Sequence, residues 1–276
     1  MNADKSLNLA DFMLASAPRA ATSLPPGFWV GGDRQAGWDD IGVVAEGFGL
    51  PPVDAPSADF YGLWLGAAGW ELRAPAAAGF TPLRLDFSLG ATATRLRQAG
   101  RKQPLARAVG LKPGHAPKVV DATAGLGRDG AVLAQLGCEV LMIERSAVMA
   151  LLLRDGLLRT APAPVAERVS VLQGDARHEL AQLARDADVI YLDPMYPHRS
   201  KSALVKKEMR MVRDLVGDDP DAGDLLAAAL ASGMRRVAVK RPGGAPALPG
   251  PAPLGCVEGP NTRYDLYAPQ ADQPSS

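Results

Sequence analysis

Cysteine and histidine are scarce in this chain. Cys138 and Cys256 are the only cysteines in 276 residues, and the three histidines are His115, His178 and His198. Two cysteines exclude a disulfide scaffold and a cysteine-based zinc site. Scattered histidines with no i, i+4 pair argue against a histidine metal centre. Net charge is missing too: 30 Lys and Arg balance 30 Asp and Glu, so no global field marks the chain as a polyanion binder. No apolar run approaches the length of a membrane span, and the start lacks the charged-then-apolar pattern of a secretion signal. A soluble, cytoplasmic, metal-free protein is the expectation. Internal repeats are absent as well.

The 47% hydrophobic content is enough for a full core, and the length suits one large domain or one with a small appendage. Charge is spread unevenly. Residues 1–80 hold four basic residues against nine acidic ones, so the basic excess lies later. Residues 1–30, rich in Ala, Pro and Ser with a short amphipathic piece at 7–14, read as a flexible, loosely packed segment. Residues 31–82 are dense in Gly and Pro and carry Trp38, Trp64 and Trp70. Strands at 60–65 and 69–72 around a glycine turn predict a small α+β lobe, which completes the core and covers a sheet edge. A further strand is expected at 83–87. A basic run follows (Arg84, Arg95, Arg97, Arg101, Lys102, Arg107), either a solvated face or a phosphate-contacting surface.

From Lys118 the pattern becomes regular. Strands are expected at 119–120, 139–143, 169–172, 189–192 and 236–239. Helices are expected at 128–136, 147–158, 178–183, 203–215 and 225–232, the second capped by Ser146 and the first closed by Gly137. Segments 256–257 and 264–267 suit a closing antiparallel hairpin. Alternating strands and helices predict an α/β, Rossmann-like domain over 83–276, with a mostly parallel sheet and right-handed crossovers.

The chemistry gathers at the expected strand ends. Asp121-Ala-Thr-Ala-Gly125-Leu-Gly127 follows the first strand, where glycines let the backbone approach a ligand and turn into the next helix. Gly125-Leu-Gly127-Arg128-Asp129-Gly130 also matches the dinucleotide fingerprint, which keeps an NAD-dependent oxidoreductase open as an alternative. Here, however, four residues separate the strand from Gly125, and the first is an acid. A carboxylate repels a pyrophosphate but suits the ammonium of an amino acid. Glu144, closing the second strand, can accept both hydroxyls of a ribose, and Asp175 after the third is placed for an adenine amine. A ligand with an amino-acid end, a ribose and a base is S-adenosylmethionine.

The fourth strand ends in Asp193-Pro194-Met195-Tyr196, similar to the Asp/Asn-Pro-Pro-aromatic signature of nitrogen methyltransferases, with Met195 in place of the second proline. A base's exocyclic amine is a poor nucleophile because its lone pair is delocalised. The Asp193 carboxylate and the Pro194 carbonyl can hold the amine with its lone pair aimed at a methyl group, while Tyr196 stacks on the extruded base. Methylation at pyrimidine C5 would require a nucleophilic cysteine here, and there is none. Downstream, Arg199, Lys201, Lys206, Lys207 and Arg210 form a basic helix suited to gripping phosphates, and Lys240 and Arg241 extend that patch from the next strand end.

Together the runs Val120–Asp129, Ile143-Glu144-Arg145, Tyr191–His198, Lys201–Arg210 and Val239–Pro242 resemble the ribosomal small subunit methyltransferase J family over about residues 83–268. The resemblance implies methylation of N2 of a guanine near the 3′ end of 16S rRNA, with S-adenosylmethionine as cofactor. It implies cofactor contacts at Arg128, Asp129, Glu144, Arg145, Asp175, Ala176 and Asp193, and puts Tyr196 where a Phe is usual. A non-catalytic RNA-binding assembly factor is the other alternative.

Overall fold

The computed structural model describes Phe12 and residues 24–195, 207–217 and 220–268. Its first sheet has four strands, β1 (Trp29–Gly32), β2 (Pro52–Val53), β3 (Gly62–Gly66) and β4 (Gly69–Arg73), in the order β2-β1-β3-β4. β1 runs parallel to β2 and β3, and β4 folds back antiparallel. The helix Arg34–Gly47 lies between β1 and β2 in the chain and buries Ile41, Val44 and Ala45.

The second sheet has seven strands: β5 (Lys118–Asp121), β6 (Glu139–Glu144), β7 (Val169–Gln173), β8 (Val189–Leu192), β9 (Val237–Pro242), β10 (Gly255–Glu258) and β11 (Thr262–Tyr267). The order is β10-β11-β9-β8-β5-β6-β7. β5 to β9 are parallel. The expected hairpin closes the sheet with β11 as the inner strand, antiparallel to both β9 and β10. After β5 the chain builds outward through β6 and β7, then returns to β8 on β5's other side. The loops leaving β5 and β8 therefore diverge, and a crevice opens at the strands' carboxyl ends.

Alternation along each strand divides the core. Val119, Val140, Met142, Val189 and Tyr191 face one side, with the helices Arg128–Gln135 and Ala147–Thr160. Val120, Leu141, Ile143, Ile190 and Leu192 face the other, with the helices Ala176–Leu183 and Ala222–Ala231. Burial on both faces explains the near-continuous apolar runs. Ser146 caps the helix Ala147–Thr160, its Oγ accepting from Met149 N–H at 3.4 Å.

That helix also joins the two sheets. The first cluster runs without a break into Leu63, Leu65, Trp70 and Leu72 of the small sheet. Asp155 Oδ2 accepts the Trp70 backbone N–H at 3.0 Å, while Oδ1 accepts Arg159 Nε at 2.7 Å. Asp155→Ala strands a backbone donor at this junction, and a loss of about 1–3 kcal/mol is expected from the denaturant midpoint.

The strand expected at 83–87 does not form; only Leu83 pairs, bridging to Leu72. Asp86 Oδ1 accepts the N–H groups of Ser88 and Leu89 at 2.8 and 3.0 Å, turning the chain into the helix Gly90–Arg97. The Phe87 N–H goes to Thr160 Oγ1 at 2.9 Å instead of to a neighbouring strand.

Candidate active site

The crevice holds a cavity of about 340 Å³. Asp121, Glu144, Asp175 and Asp193 all line it, each at or just beyond the end of a different parallel strand. Shared strand direction puts the four carboxylates on one edge.

The loop from Asp121 to Gly127 forms the floor. Glu144 is buried, and its Oε2 accepts the Gly125 N–H while Oε1 accepts the Ser146 N–H, both at 2.8 Å. One carboxylate thus ties the loop after β5 to the end of β6, in the wall of the cavity. Gly127 is the N-cap of the helix Arg128–Gln135 with φ 68°, and a Cβ there would lie 2.4 Å from Leu153 Cδ1. Only glycine fits both demands. A Cβ on Gly130 would meet Met142 Cε at 2.4 Å, so this glycine serves close helix–strand packing.

At the other end of the cavity Ala176 is buried at the start of its helix. Asp175 accepts Arg177 Nε at 3.0 and 3.1 Å, and Arg177 hydrogen bonds hold its carboxyl below the usual range against the opposing effect of burial. Arg177 and Arg145 both reach Asp221, at 2.9 and 3.1 Å. This cross-linked group of charges walls the end where the sequence placed a nucleobase. Arg128 is paired with Glu208 across to the helix Lys207–Val216. Met209 and Val212 of that helix line the cavity.

The reacting end is a buried charge cluster. Asp129 Oδ2 accepts Tyr191 O–H at 2.6 Å and Lys240 Nζ at 2.8 Å, and its Oδ1 is paired with Arg95. Burial alone would push this carboxyl up, but Lys240 and Arg95 together hold it down to about 2. Lys240 Nζ also donates to Asp193 Oδ2 at 2.7 Å. Burial raises the Asp193 carboxyl, Lys240 opposes the rise, and Asp129 adds to it. The Asp193 N–H is fixed by Thr123 Oγ1 at 2.6 Å. Asp121, with a single backbone donor in Thr123 N–H at 3.2 Å, is pushed up to about 8 by burial and by the Asp129 charge.

Two assignments need correction. Arg241 belongs to no phosphate-gripping patch: it is 4% exposed, with Nε donating to Pro246 O at 3.1 Å. Lys240 points into the cavity between two aspartates, not out to a nucleic-acid backbone. The two are consecutive on β9, so their side chains leave opposite faces of the sheet, and neither reaches solvent freely. Arg210 is exposed, its guanidinium 5.6 Å from the Phe80 ring centre. Tyr196, Arg199, Lys201 and Lys206 lie outside the described residues, and Lys207 opens its helix. Thr123, Arg95 and the Tyr191 hydroxyl were not anticipated. Tyr191 counted only as a strand residue opening a family-like run, and Arg95 only as part of a basic run.

The donor set fits S-adenosylmethionine: an acid at each of two strand ends for ammonium and diol, a glycine-lined floor, and a polar wall at 175–177. Among the described residues no group of His, Cys, Asp and Glu could hold a metal, and no helix is long and apolar enough to cross a membrane. The SAM-dependent methyltransferase family model matches residues 46–269. Ribosomal RNA small subunit methyltransferase J of Pseudomonas aeruginosa is 48% identical over 82% of this chain and 89% of its own length. The protein of that name from Thioalkalivibrio sulfidiphilus is 55% identical, over 83% of this chain and 89% of its own length. A crystal structure of a SAM-dependent methyltransferase from Neisseria gonorrhoeae superposes with a TM-score of 0.68 at 31% identity, covering 88% of this chain and 96% of its own.

Proposed function

Because the chain belongs to the ribosomal RNA small subunit methyltransferase J family of S-adenosylmethionine-dependent methyltransferases, we propose that it methylates N2 of a guanine in 16S rRNA. The observation that carries this reading is the position of Asp193. It ends a strand at the cavity, follows the cofactor-type acids Asp121 and Glu144 along one sheet edge, and is continuous with Pro194. The dinucleotide alternative gives way, since the buried acid side chain of Asp121 closes β5 where a pyrophosphate would need backbone amides alone.

Asp121 faces the ammonium, Glu144 the ribose hydroxyls, and Asp175 with Ala176 the adenine; Gly125, Gly127, Arg128, Asp129 and Arg145 complete the surround. S-adenosylmethionine, when bound, supplies a methyl group on a sulfonium, whose C–S electron pair stays on sulfur as the N–C bond forms. Asp193 and the Pro194 carbonyl accept hydrogen bonds from the amine and turn its lone pair toward the methyl. Alkylation acidifies the nitrogen, which sheds its proton to water. Tyr196 stacks on the guanine, and Arg199, Lys201, Lys206, Lys207 and Arg210 hold the RNA backbone. The lobe at 31–82 steadies that basic helix through Phe80 beneath Arg210 and through Tyr61, which hydrogen bonds Asp214. The catalytic domain runs from residue 83.

The test is mass spectrometry of 16S rRNA from a strain lacking the protein. One N2-methylguanine should be missing, and purified protein with S-adenosylmethionine should restore it. An unchanged nucleoside spectrum overturns the reading.

The Asp121 assignment has its own signature. Its carboxyl, pushed up to about 8 by burial and by Asp129, is neutral below that pH, whereas an ammonium pairs with the carboxylate. Binding therefore expels a proton. S-adenosylhomocysteine affinity should rise about tenfold per pH unit from roughly pH 6 and level off near pH 8. Calorimetry in buffers of different ionisation enthalpy reads the released proton directly, and a flat affinity profile removes Asp121 from this role.

A further inference from the structure

The acid that aims the amine is not free to choose its orientation. Asp193 Oδ2 is taken by Lys240 Nζ at 2.7 Å, and Lys240 is itself anchored on Asp129 Oδ2 at 2.8 Å. Asp193 Oδ1 meets no protein donor among the described residues, and the side chain, 38% exposed, lines the cavity. The Asp193 backbone N–H is pinned separately by Thr123. One oxygen is thereby committed to protein and the other left for substrate.

We propose that Lys240 is a positioning residue for methyl transfer: suspended between Asp129 and Asp193, its ammonium fixes Asp193 Oδ2 and presents Oδ1 as an ionised acceptor to the substrate amine. The inference rests on the methyl-transfer reading above and gives Lys240 a task other than RNA binding. An amine needs a lone pair opposite its N–H. A protonated carboxyl offers an O–H in some orientations, and a freely rotating carboxylate spreads its acceptors over many directions.

The surrounding charges make Lys240 the deciding one. Asp121 from β5, Asp129 from the helix Arg128–Gln135, and the hydroxyls of Tyr191 on β8 and Tyr264 on β11 all surround the pair. Arg95, from the helix Gly90–Arg97, is a second cation among the described residues, and it is bonded to the far oxygen of Asp129. Burial and Asp129 both favour the neutral form of Asp193, and Lys240 is the strongest influence against them. Sheet geometry fixes the contact. Leu192 of β8 pairs with Val239 of β9, so the next residues, Asp193 and Lys240, leave neighbouring strands side by side.

The experiment compares wild type, Lys240→Met and Lys240→Arg. It follows single-turnover transfer of labelled methyl to 16S rRNA and to small subunits from a strain lacking the modification, across pH and RNA concentration. Lys240→Met should be about a hundredfold slower at neutral pH, with its rate recovering at a pH about one to two units higher as Asp193 ionises without its cation. S-adenosylhomocysteine binding and the RNA concentration for half-maximal rate should stay close to wild type. Lys240→Arg keeps the charge and should keep the wild-type pH profile at a reduced rate. It also carries the test if Lys240→Met does not fold, since a shifted Lys240→Arg profile overturns the proposal. Carbon-13 titration of the Asp193 carboxyl should show the same upward move in Lys240→Met.

An unmoved Asp193 titration, or a raised RNA concentration for half-maximal rate at unchanged maximal rate, overturns the positioning role. Wild type that transfers no methyl, with an Asp193 titration that still moves in Lys240→Met, overturns the methyl-transfer reading instead.

Discussion

Asp193→Ala should remain folded and bind S-adenosylhomocysteine within about tenfold of wild type, yet transfer methyl about 10²–10³-fold more slowly in single turnover. Folding survives because Asp193 stands at the end of β8, at the rim of the cavity, and its removal leaves Lys240 paired with Asp129. The loss falls on chemistry because the variant removes the acceptor that aims the amine and leaves the acids at Asp121 and Glu144 untouched. Asp193→Asn should do no better than Ala. Its amide oxygen would turn to Lys240, and its N–H₂ would then face the donor hydrogens of the substrate amine. Near-wild-type transfer by either variant sinks the assignment of Asp193.

The sheet was legible because its inner strands β5, β6 and β8 are buried on both faces and therefore written as apolar runs, each closed or followed at once by an acid. Asp121, Glu144, Asp175 and Asp193 could be placed on one edge from strand direction alone, and all four line the cavity. What escaped was the set of partnerships between elements distant in sequence. Arg95 meets Asp129 across 34 residues and Tyr191 meets it across 62; nothing in their local pattern marks either contact. Lys240 did leave a signal: a lysine closing an apolar strand is costly to bury unless a carboxylate waits for it. Charge counting assigned it to RNA because it weighed Lys240 with Arg241, whose side chain leaves the opposite face. The failed strand at 83–87 has a local cause. Asp86 is an acid two residues before Ser88, a capping arrangement that turns the chain, and strand propensity was read over it.

Asp129→Ala should be the most destabilising single change in the site, costing about 3 kcal/mol or more near pH 5. Asp129 is 8% exposed and takes Arg95, Lys240 and Tyr191, so its removal leaves two cations without the carboxylate they share. The deficit should depend on pH. The Asp121 carboxyl is neutral at pH 5, being pushed up to about 8 by burial and by Asp129 itself. Without the Asp129 charge, Asp121 ionises more readily and can replace it, so the gap to wild type should narrow as pH rises toward about 8. At the acid end the gap narrows for a different reason. Asp129 in wild type, held down to about 2, contributes stability that is complete above the unfolded carboxylate range and is lost as pH falls from about 4 to about 2. The variant has no such contribution to lose, so its disadvantage should shrink there too. The destabilisation plotted against pH is then a hump centred near pH 5, read from urea midpoints. Adding Asp121→Asn should flatten its alkaline side, because an amide cannot ionise to take the place of Asp129. A deficit that keeps growing up to pH 8 would mean that Asp121 does not exchange charge with Asp129.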